Sequence, residues 1–308
     1  MKRCIQHARL DPGPRKQARN ATRQPASQKS APGEWARGWF HRAFKCDVEE
    51  HPRLAAFRAL ADWARRQNIS LDRALYPGSF TDVVPAMVVP SVTFVDSYAG
   101  ARPALAKFFV AAPDLLASRD RGSEPLELRF HAADFTSNIS EVKPGAGFDL
   151  LISLSASSPS GCISKVCADL VRPGGLLAVN DDHGDACVAF SMTEAWLLVG
   201  FVDGNGIMQE DTSKCFLSRR GKRRKEAADY AANAGKPLSR RPLAVVDVGA
   251  QFFVFQRKPC ATHVHALPHE SARGCSVTGE AEQLRPSESA SEIPGSGTPA
   301  ESAKKGAK

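Results

Sequence analysis

Two kinds of apolar spacing alternate through the middle of the chain. Between residues 51 and 68 the apolar side chains lie three residues apart, as on one face of an amphipathic helix; they are Leu54, Phe57, Leu60 and Trp63. Farther along, short apolar runs bounded by Gly, Pro or Asp lack that spacing and are typical of buried strands. The clearest is FDLLISL at 148–154.

The pattern predicts seven strands, of which the first five alternate with helical segments. These five lie at 74–76, 92–96, 126–130, 148–154 and 176–179, and two more are expected at 214–218 and 251–256. Helices are expected at 102–118, around 163–170 and at 186–199, with a helix-like piece between the first two strands. Such crossovers join parallel strands with right-handed connections. The expected fold is therefore α/β and Rossmann-like, a doubly wound, mostly parallel sheet with helices on both faces.

The two ends of the chain lack this apolar periodicity. Residues 1–48 and 260–308 are rich in Ser, Ala, Pro, Gly and charge. Such a composition cannot bury enough apolar surface to offset the entropy of ordering. We therefore expect a basic disordered tail and a low-complexity disordered tail on either side of one Rossmann-like domain at 49–259.

The net charge of +8 comes from two segments. Residues 1–40 carry nine Lys and Arg against two acidic residues, and a basic insert at 219–241 also carries nine against two. The rest of the chain has 23 basic and 29 acidic residues, which argues against a basic nucleic-acid-binding body. The basic segments permit weak, salt-dependent contact with nucleic acid or acidic surfaces. Solvated loops that keep the protein soluble are the simpler interpretation.

The eight Cys residues are scattered and form no CxxC pair. This argues against a zinc site or a disulfide framework and favours reduced thiols in the cytoplasm. No apolar run approaches the ~20 residues that span a membrane, and the N-terminus lacks the apolar core of a secretory signal. Its Arg-rich, acid-poor composition leaves an organelle transit peptide open.

The segment from Arg73 to Asp96, RALYPGSFTDVVPAMVVPSVTFVD, is typical of the first unit of a nucleotide-binding fold. Gly78 follows the first predicted strand and lets a turn approach a ligand; an ordinary turn glycine is the alternative. Asp96 ends the second strand 18 residues later. That is close to the ~20 residues expected between a glycine loop and the acid that binds ribose hydroxyls.

The order of these motifs resembles the class I S-adenosylmethionine-dependent methyltransferase superfamily. The resemblance rests on YPGSFTD at 76–82, TFVDS at 93–97, HAADF at 131–135, FDLLISL at 148–154, LVRPGGLLAVN at 170–180 and QFFVFQRK at 251–258. The segment also resembles bacterial methyltransferase-like proteins with LISL, RPGGLL and HGDA in the same order. The resemblance implies a seven-stranded sheet of order 3-2-1-4-5-7-6 with strand 7 antiparallel. It also implies S-adenosylmethionine as cofactor, bound over the carboxyl ends of the first strands.

The same resemblance implies the cofactor-binding residues: Tyr76, Gly78, Asp96, Asp134, Phe135 and Ser153. Gly78 would approach the methionine part, and Asp96 would accept hydrogen bonds from the ribose. Asp134 would accept a hydrogen bond from the adenine amine while Phe135 packs on the base. A solvated strand-end Asp, a capping Asp and a core Phe are the structural alternatives.

The sequence departs from the family pattern in two places. Ser79 and Phe80 stand where further Gly residues of a GxGxG loop are usual. After the fourth strand there is no Asp-Pro-Pro-Tyr or Asn-Pro-Pro-Tyr, which argues against methylation of base amino groups and favours a small-molecule acceptor. The chain has LSAS there, where catechol-type relatives have an Asp that binds magnesium. No metal is expected, because a hard cation needs several oxygen ligands.

Polar residues cluster after the fifth predicted strand, in Asn180-Asp181-Asp182-His183. His183 is a candidate general base because the ordinary imidazole pKa lies near 6.5, and Asp182 is a competing base. Helix capping by Asp182 or Asp185, with His183 filling the turn, is the alternative.

Besides methyl transfer, two other functions are open. A non-catalytic Rossmann-fold binding module is favoured by the single-Gly loop, and a nicotinamide-dependent oxidoreductase is disfavoured by the absence of GxGxxG.

Overall fold

The chain folds around one mixed sheet. A computed structural model describes residues 31–97, 102–117, 125–135, 147–154, 162–217, 226–234, 236, 240 and 247–259. The helices in these ranges are α1 Pro32–Phe44, α2 Pro52–Arg66, α3 Arg102–Leu115, α4 Ile163–Val166, α5 Asp185–Ser191 and α6 Ala227–Tyr230. The strands are β1 Arg73–Pro77, β2 Ser91–Val95, β3 Glu127–His131, β4 Phe148–Ser153, β5 Val171–Val179, β6 Trp196–Asp203, β7 Met208–Gln209 and β8 Ala250–Arg257.

The strands lie in the order β3-β2-β1-β4-β5-β8-β6-β7. Strands β1 to β5 pair in parallel, whereas β8 is antiparallel to both of its neighbours, β5 and β6. Apart from the two-residue β7 at one edge, this is the predicted order, with the last long strand antiparallel. The predicted α/β class is confirmed, with eight strands in the described ranges instead of seven.

Apolar clusters cover both faces of the sheet. On one face, α1, α2 and α3 bury Phe40, Phe57 and Phe108. On the other, α4 and α5 bury Ile163 and Ala186. Successive side chains of a strand point to opposite faces, which is why the apolar strands feed both clusters. No helix in the described ranges is long and apolar enough to cross a membrane.

The region after β5 differs from the expected helix at 186–199. Helix α5 covers only Asp185–Ser191, and β6 occupies Trp196–Asp203. The run WLLVGFVD contains the β-branched residues Val199 and Val202, which favour a strand. It pairs with β8 along most of its length, and this long-range pairing outweighs local helix propensity.

The prediction of a strand at 214–218 is wrong as well. Its residues up to 216 form a turn, and Phe216 is buried there. The Phe216 ring stacks on Phe190 at 4.4 Å and lies 4.8 Å from Phe253 of β8. The apolar residues that suggested a strand are buried by ring packing instead.

The connection between β1 and β2 is shorter than the expected helix. It contains one 3-10 turn, Val84–Met87. Pro85 and Pro90 lack the N–H groups that a continuous helix would need, and so they confine the helical segment to this turn. The loop directly after β1 is thus held by its own contacts rather than by a long helix.

Part of the basic insert is packed against the body, contrary to the expectation of a solvated loop. Tyr230 of α6 is fully buried, and its hydroxyl donates to the main-chain oxygen of Phe216. Asn233 is also buried, and a Cβ at Gly184 would overlap its main-chain oxygen. Most of the Lys and Arg residues of the insert lie outside the described ranges.

The expected boundary at residue 48 is wrong as well. Helix α1 lies before it, and its Phe40 is 1% exposed in the main core. The helix packs closely on α3, because a Cβ at Gly33 would lie 2.9 Å from the Cβ of Asp114. Burial of apolar residues in α1 offsets the entropy that composition alone suggested would prevail. Residues 1–30 and 260–308 lie outside the described ranges, so the tails predicted there stay predictions.

Two truncations distinguish the part of the N-terminus that packs from the rest. Removal of residues 1–30 is expected to leave the free energy of unfolding nearly unchanged. Removal of residues 1–48 should lower it by several kcal/mol, because burial of one side chain such as Phe40 contributes roughly 1.5–3 kcal/mol. Urea unfolding of both truncated proteins checks this, and equal stabilities would contradict the packing of α1.

Candidate functional site

Every residue proposed for the site lies at or just after the carboxyl end of a strand. Parallel strands β1 to β5 present these ends at one edge of the sheet, where ligands of open α/β folds bind. The five connections at this edge follow Pro77, Val95, His131, Ser153 and Val179. The fold thus brings together segments that are up to about a hundred residues apart in the sequence.

The loop after β1 is joined directly to the acid after β2. Gly78 has φ of +66° and donates its N–H to the Val95 oxygen at 2.7 Å. Phe80, with φ of +51°, donates its N–H to Oδ2 of Asp96 at 2.9 Å. Asp96 is 9% exposed. The expected neighbourhood of the glycine turn and the strand-end carboxylate is therefore present.

The hydroxyl of Tyr76 is hydrogen-bonded within the fold, to Asp82. Tyr76 is buried and donates to Oδ2 of Asp82 at 2.9 Å, and Nη1 of Arg53 lies 2.6 Å from the same oxygen. The other carboxylate oxygen accepts the Val84 N–H at 3.2 Å. Burial and the charge of Asp82 hold the pKa of Tyr76 well above its ordinary value. The side chain of Tyr76 supports the loop from inside the core.

The sequence offered no signal for the contribution of α2 to this edge. Burial by itself would lower the pKa of Arg53, but Tyr76 and Asp82 outweigh it, and the pKa is raised. His51 caps α2 by accepting the Arg53 N–H at 3.2 Å. Burial lowers the pKa of His51, against the opposing charge of Asp82. The first turn of α2 thus fixes the loop after β1 through one buried ion pair.

The hydroxyl of Ser153, at the end of β4, is hydrogen-bonded to the buried carboxylate of Asp185. The Ser153 hydroxyl donates to Oδ2 of Asp185, and the hydroxyl of Ser164 donates to Oδ1. The Ser164 N–H adds a contact at 3.2 Å. Asp185 is 3% exposed, and its burial raises its pKa despite these donors. Ser153 therefore joins β4 to the first turn of α5.

The raised pKa of Asp185 predicts a pH dependence of stability. The folded state binds the Asp185 proton more tightly than the unfolded state, whose pKa is near 3.8. This contribution is fully present below pH 3.8 and is lost as the pH rises through the raised folded pKa. Measured by urea unfolding, the stability of wild type relative to Asp185→Asn should therefore increase on acidification. Parallel pH curves for the two proteins would contradict it.

The turn after β5 holds the candidate bases. Asp181 accepts the Cys187 N–H in the first turn of α5 at 3.1 Å, whereas the N-cap position considered for Asp182 or Asp185 is occupied by Gly184. Asp182 is exposed and accepts from the side-chain amide of Asn180 at 2.9 Å. His183 is half-buried in the same turn. The charge of Asp182 contributes to the raised pKa of Arg53, so this turn lies within electrostatic range of the first turn of α2.

Asp134 and Phe135 follow β3 and are both half-buried. The Phe135 ring packs at the border of the second apolar cluster, so it has a structural role that does not preclude contact with a ligand. Among the residues the structure describes, no three His, Cys, Asp or Glu side chains are grouped to hold a metal ion.

Two side chains of the loop after β1 are unusual. The hydroxyls of Ser79 and Thr81 are buried and lack a hydrogen-bond partner within the described ranges. A buried hydroxyl without a partner is destabilising, because its interaction with water is lost and not replaced. The two residues flank Phe80, whose backbone has the left-handed conformation that side chains disfavour. The loop therefore shows the local strain that clusters at ligand sites.

No protein-family model matches the sequence, and no curated protein matches it either. Solved structures similar to it include an amino pentose methyltransferase from Micromonospora echinaspora, solved with S-adenosylmethionine. It is 18% identical over 53% of this chain and 58% of its own, with a TM-score of 0.29. This chain therefore spans less than two thirds of the length of that protein.

Two further structures are an O-methyltransferase, TomG, and an N-methyltransferase, NodS. TomG from Streptomyces achromogenes, solved with S-adenosylmethionine, is 18% identical over 52% of this chain and 70% of its own, with a TM-score of 0.32. NodS from Bradyrhizobium japonicum is 11% identical over 66% and 96%, with a TM-score of 0.29. Such values carry no argument by themselves, and the fold rests on the strand order of this chain, which is that of a Rossmann-like α/β sheet.

Proposed function

We propose that this protein binds S-adenosylmethionine and transfers its methyl group to a small-molecule acceptor. The observation that carries the proposal is the position of β8, antiparallel between β5 and β6. A dinucleotide-binding Rossmann sheet has its strands in the order 3-2-1-4-5-6, without an inserted antiparallel strand. The topology therefore favours the methyltransferase over the nicotinamide-dependent oxidoreductase.

The residues present at the carboxyl edge fit such a cofactor. Asp96 lies against the loop after β1, where one carboxylate can serve ribose hydroxyls. The buried hydroxyls of Ser79 and Thr81 offer donors that a polar ligand or its water shell would satisfy. Asp134 and Phe135 follow β3, where they would contact the adenine. Gly78 keeps the backbone conformation for close approach.

In this proposal the protein acts mainly by positioning. The bound cofactor supplies an electrophilic methyl group on a sulfonium. Asp96 orients the ribose, while the Arg53–Asp82 pair keeps the loop after β1 in place. His183 or Asp182 accepts the proton that the acceptor loses. Methyl transfer of this kind depends on alignment and exclusion of water more than on a covalent enzyme intermediate.

A non-catalytic binding module is the second candidate. The hydrogen bond from the Ser153 hydroxyl to Asp185 favours it, because a group expected to bind the cofactor is used within the fold. Contacts of the basic segments with nucleic acid or acidic surfaces would suit such a module, and they would weaken steeply with salt.

Calorimetric titration with S-adenosylmethionine, S-adenosylhomocysteine and NAD tests the cofactor. Binding of the first two, and not of NAD, is expected. A transfer assay with labelled methyl groups and a panel of hydroxyl- and amine-bearing small molecules then separates the enzyme from the binding module. Binding without any transfer would favour the module, and binding of NAD alone would overturn the proposal.

Asp96→Asn is expected to weaken binding of S-adenosylhomocysteine about 10- to 100-fold. The amide can still accept the Phe80 N–H, but the charged acceptor for the ribose is lost, and such bonds contribute about 1.5–3 kcal/mol. Calorimetry measures the change, with Asp62→Asn on the exposed face of α2 as control. Unchanged affinity would remove Asp96 from the site.

A further inference from the structure

Phe80 has the features of a ligand contact in its own right. It occupies a left-handed backbone conformation, with φ of +51°, that disfavours any residue with a Cβ and suits Gly. The residue is nonetheless 38% exposed, so the strain is not explained by full burial of the side chain. A strained residue persists where the surrounding structure enforces it, most often at a ligand site.

The Phe80 ring ends a row of aromatic side chains. Its centroid lies 6.3 Å from that of Trp39 on α1, and Trp39 stacks on Trp35 at 5.6 Å. At the far end of the row, Nζ of Lys107 lies 4.5 Å above the Trp35 ring. The faces of these rings carry partial negative charge, and the face of Trp35 already binds the Lys107 ammonium.

The surroundings of Phe80 at the site also favour positive charge. Its own N–H binds the carboxylate of Asp96, and Asp134 follows the neighbouring strand. The third carboxylate of this region, Asp82, is already paired with Arg53. A cation next to Phe80 would therefore meet both an aromatic face and fixed negative charge.

From these contacts we infer that the ring of Phe80, supported by Trp39, recognises the sulfonium of the bound cofactor through a cation–π contact. The inference rests on the proposed function. The sulfur is bonded to the exocyclic carbon attached to the ribose ring. A ribose held by Asp96 would therefore place the charged sulfur near Phe80, whose N–H binds the same carboxylate. The protein thereby distinguishes the charged S-adenosylmethionine from the neutral thioether S-adenosylhomocysteine, which favours release of the demethylated product.

The test is the ratio of two affinities measured by calorimetry, that for S-adenosylmethionine over that for S-adenosylhomocysteine. Wild type should prefer the sulfonium. Phe80→Leu keeps an apolar side chain and removes the aromatic face, and should reduce the ratio about three- to tenfold. Phe80→Tyr keeps the face and should retain the ratio. Trp35→Leu removes a ring that does not adjoin the loop and should also leave it unchanged.

The outcomes separate this inference from the proposed function. If wild type and Phe80→Leu have the same ratio, the ring only packs, and the inference is wrong while the cofactor stands. If Phe80→Leu binds both ligands more tightly, the ring obstructs the site, which also overturns the inference. If wild type binds neither ligand, the proposed function itself fails. Melting temperatures of the variants verify that each is folded, and Phe80→Tyr provides the comparison should Phe80→Leu unfold.

Discussion

Asp82→Ala is expected to lower the free energy of unfolding by about 3–5 kcal/mol, which is the usual effect of removing one partner of a buried ion pair. The side chain of Asp82 is 2% exposed and that of Arg53 is 16% exposed. The substitution leaves the Arg53 charge without its nearest partner. It also deprives the Tyr76 hydroxyl and the Val84 N–H of their acceptor.

Urea unfolding of wild type and Asp82→Ala gives this difference. The double variant Arg53→Met/Asp82→Ala should be less destabilised than the sum of the two single variants, because it contains no unpaired buried charge. Tyr76→Phe should lose about 1 kcal/mol, the contribution of one hydrogen bond. A loss below about 1 kcal/mol for Asp82→Ala would show that the pair does not hold the loop.

His183→Ala is expected to reduce single-turnover methyl transfer ~10²–10⁴-fold if His183 is the general base, while affinity for S-adenosylhomocysteine changes little. The half-buried imidazole lies in the turn after β5, beside the carboxyl edge where an acceptor would meet the methyl group. Wild-type activity should fall on the acidic side of neutrality, because a protonated imidazole cannot accept a further proton.

The measurement uses the acceptor found in the transfer assay and covers about pH 5 to 9, around the ordinary imidazole pKa. Asp182→Asn is the matched control, since it alters the competing base in the same turn. Parallel pH profiles of similar rate for wild type and His183→Ala would assign His183 a structural role. A large loss in Asp182→Asn alone would move the proton transfer to that carboxylate.

The positions of the parallel strands could be predicted because they depend on features that a sequence displays locally, whereas the order of the strands was implied by the family resemblance. The apolar runs before Gly78, Asp96 and Asn180 each end at a polar or turn residue, and strands β1, β2 and β5 end within a few residues of these positions. Strand β6 could not be predicted in this way. Its residues have no alternating pattern, and its state is decided by pairing with β8, about fifty residues away.

The residues that support the site could not be predicted, for a similar reason. Arg53 and Asp82 are 29 residues apart in the sequence; Arg53 belongs to no motif, and nothing in the YPGSFTD motif indicates that its last residue, Asp82, pairs with a helix so far away. Helix α1 lies in a segment whose average composition is basic and polar, although its Ala36 and Phe40 are buried in the core. Composition averaged over a tail conceals a few well-placed aromatic residues, whereas packing depends on those residues individually.

The insertion of β8 between β5 and β6 sets an order for folding. Strands β1 to β5 can pair as soon as residue 179 is available, since each neighbour in the parallel half lies earlier in the chain. Strand β6 has no long partner until residues 250–257 arrive. Until then both β5 and β6 expose an unpaired edge, so the nascent chain is prone to association at this stage. Of the strands in the described ranges, the last long one to be synthesised is thus the one that closes the sheet.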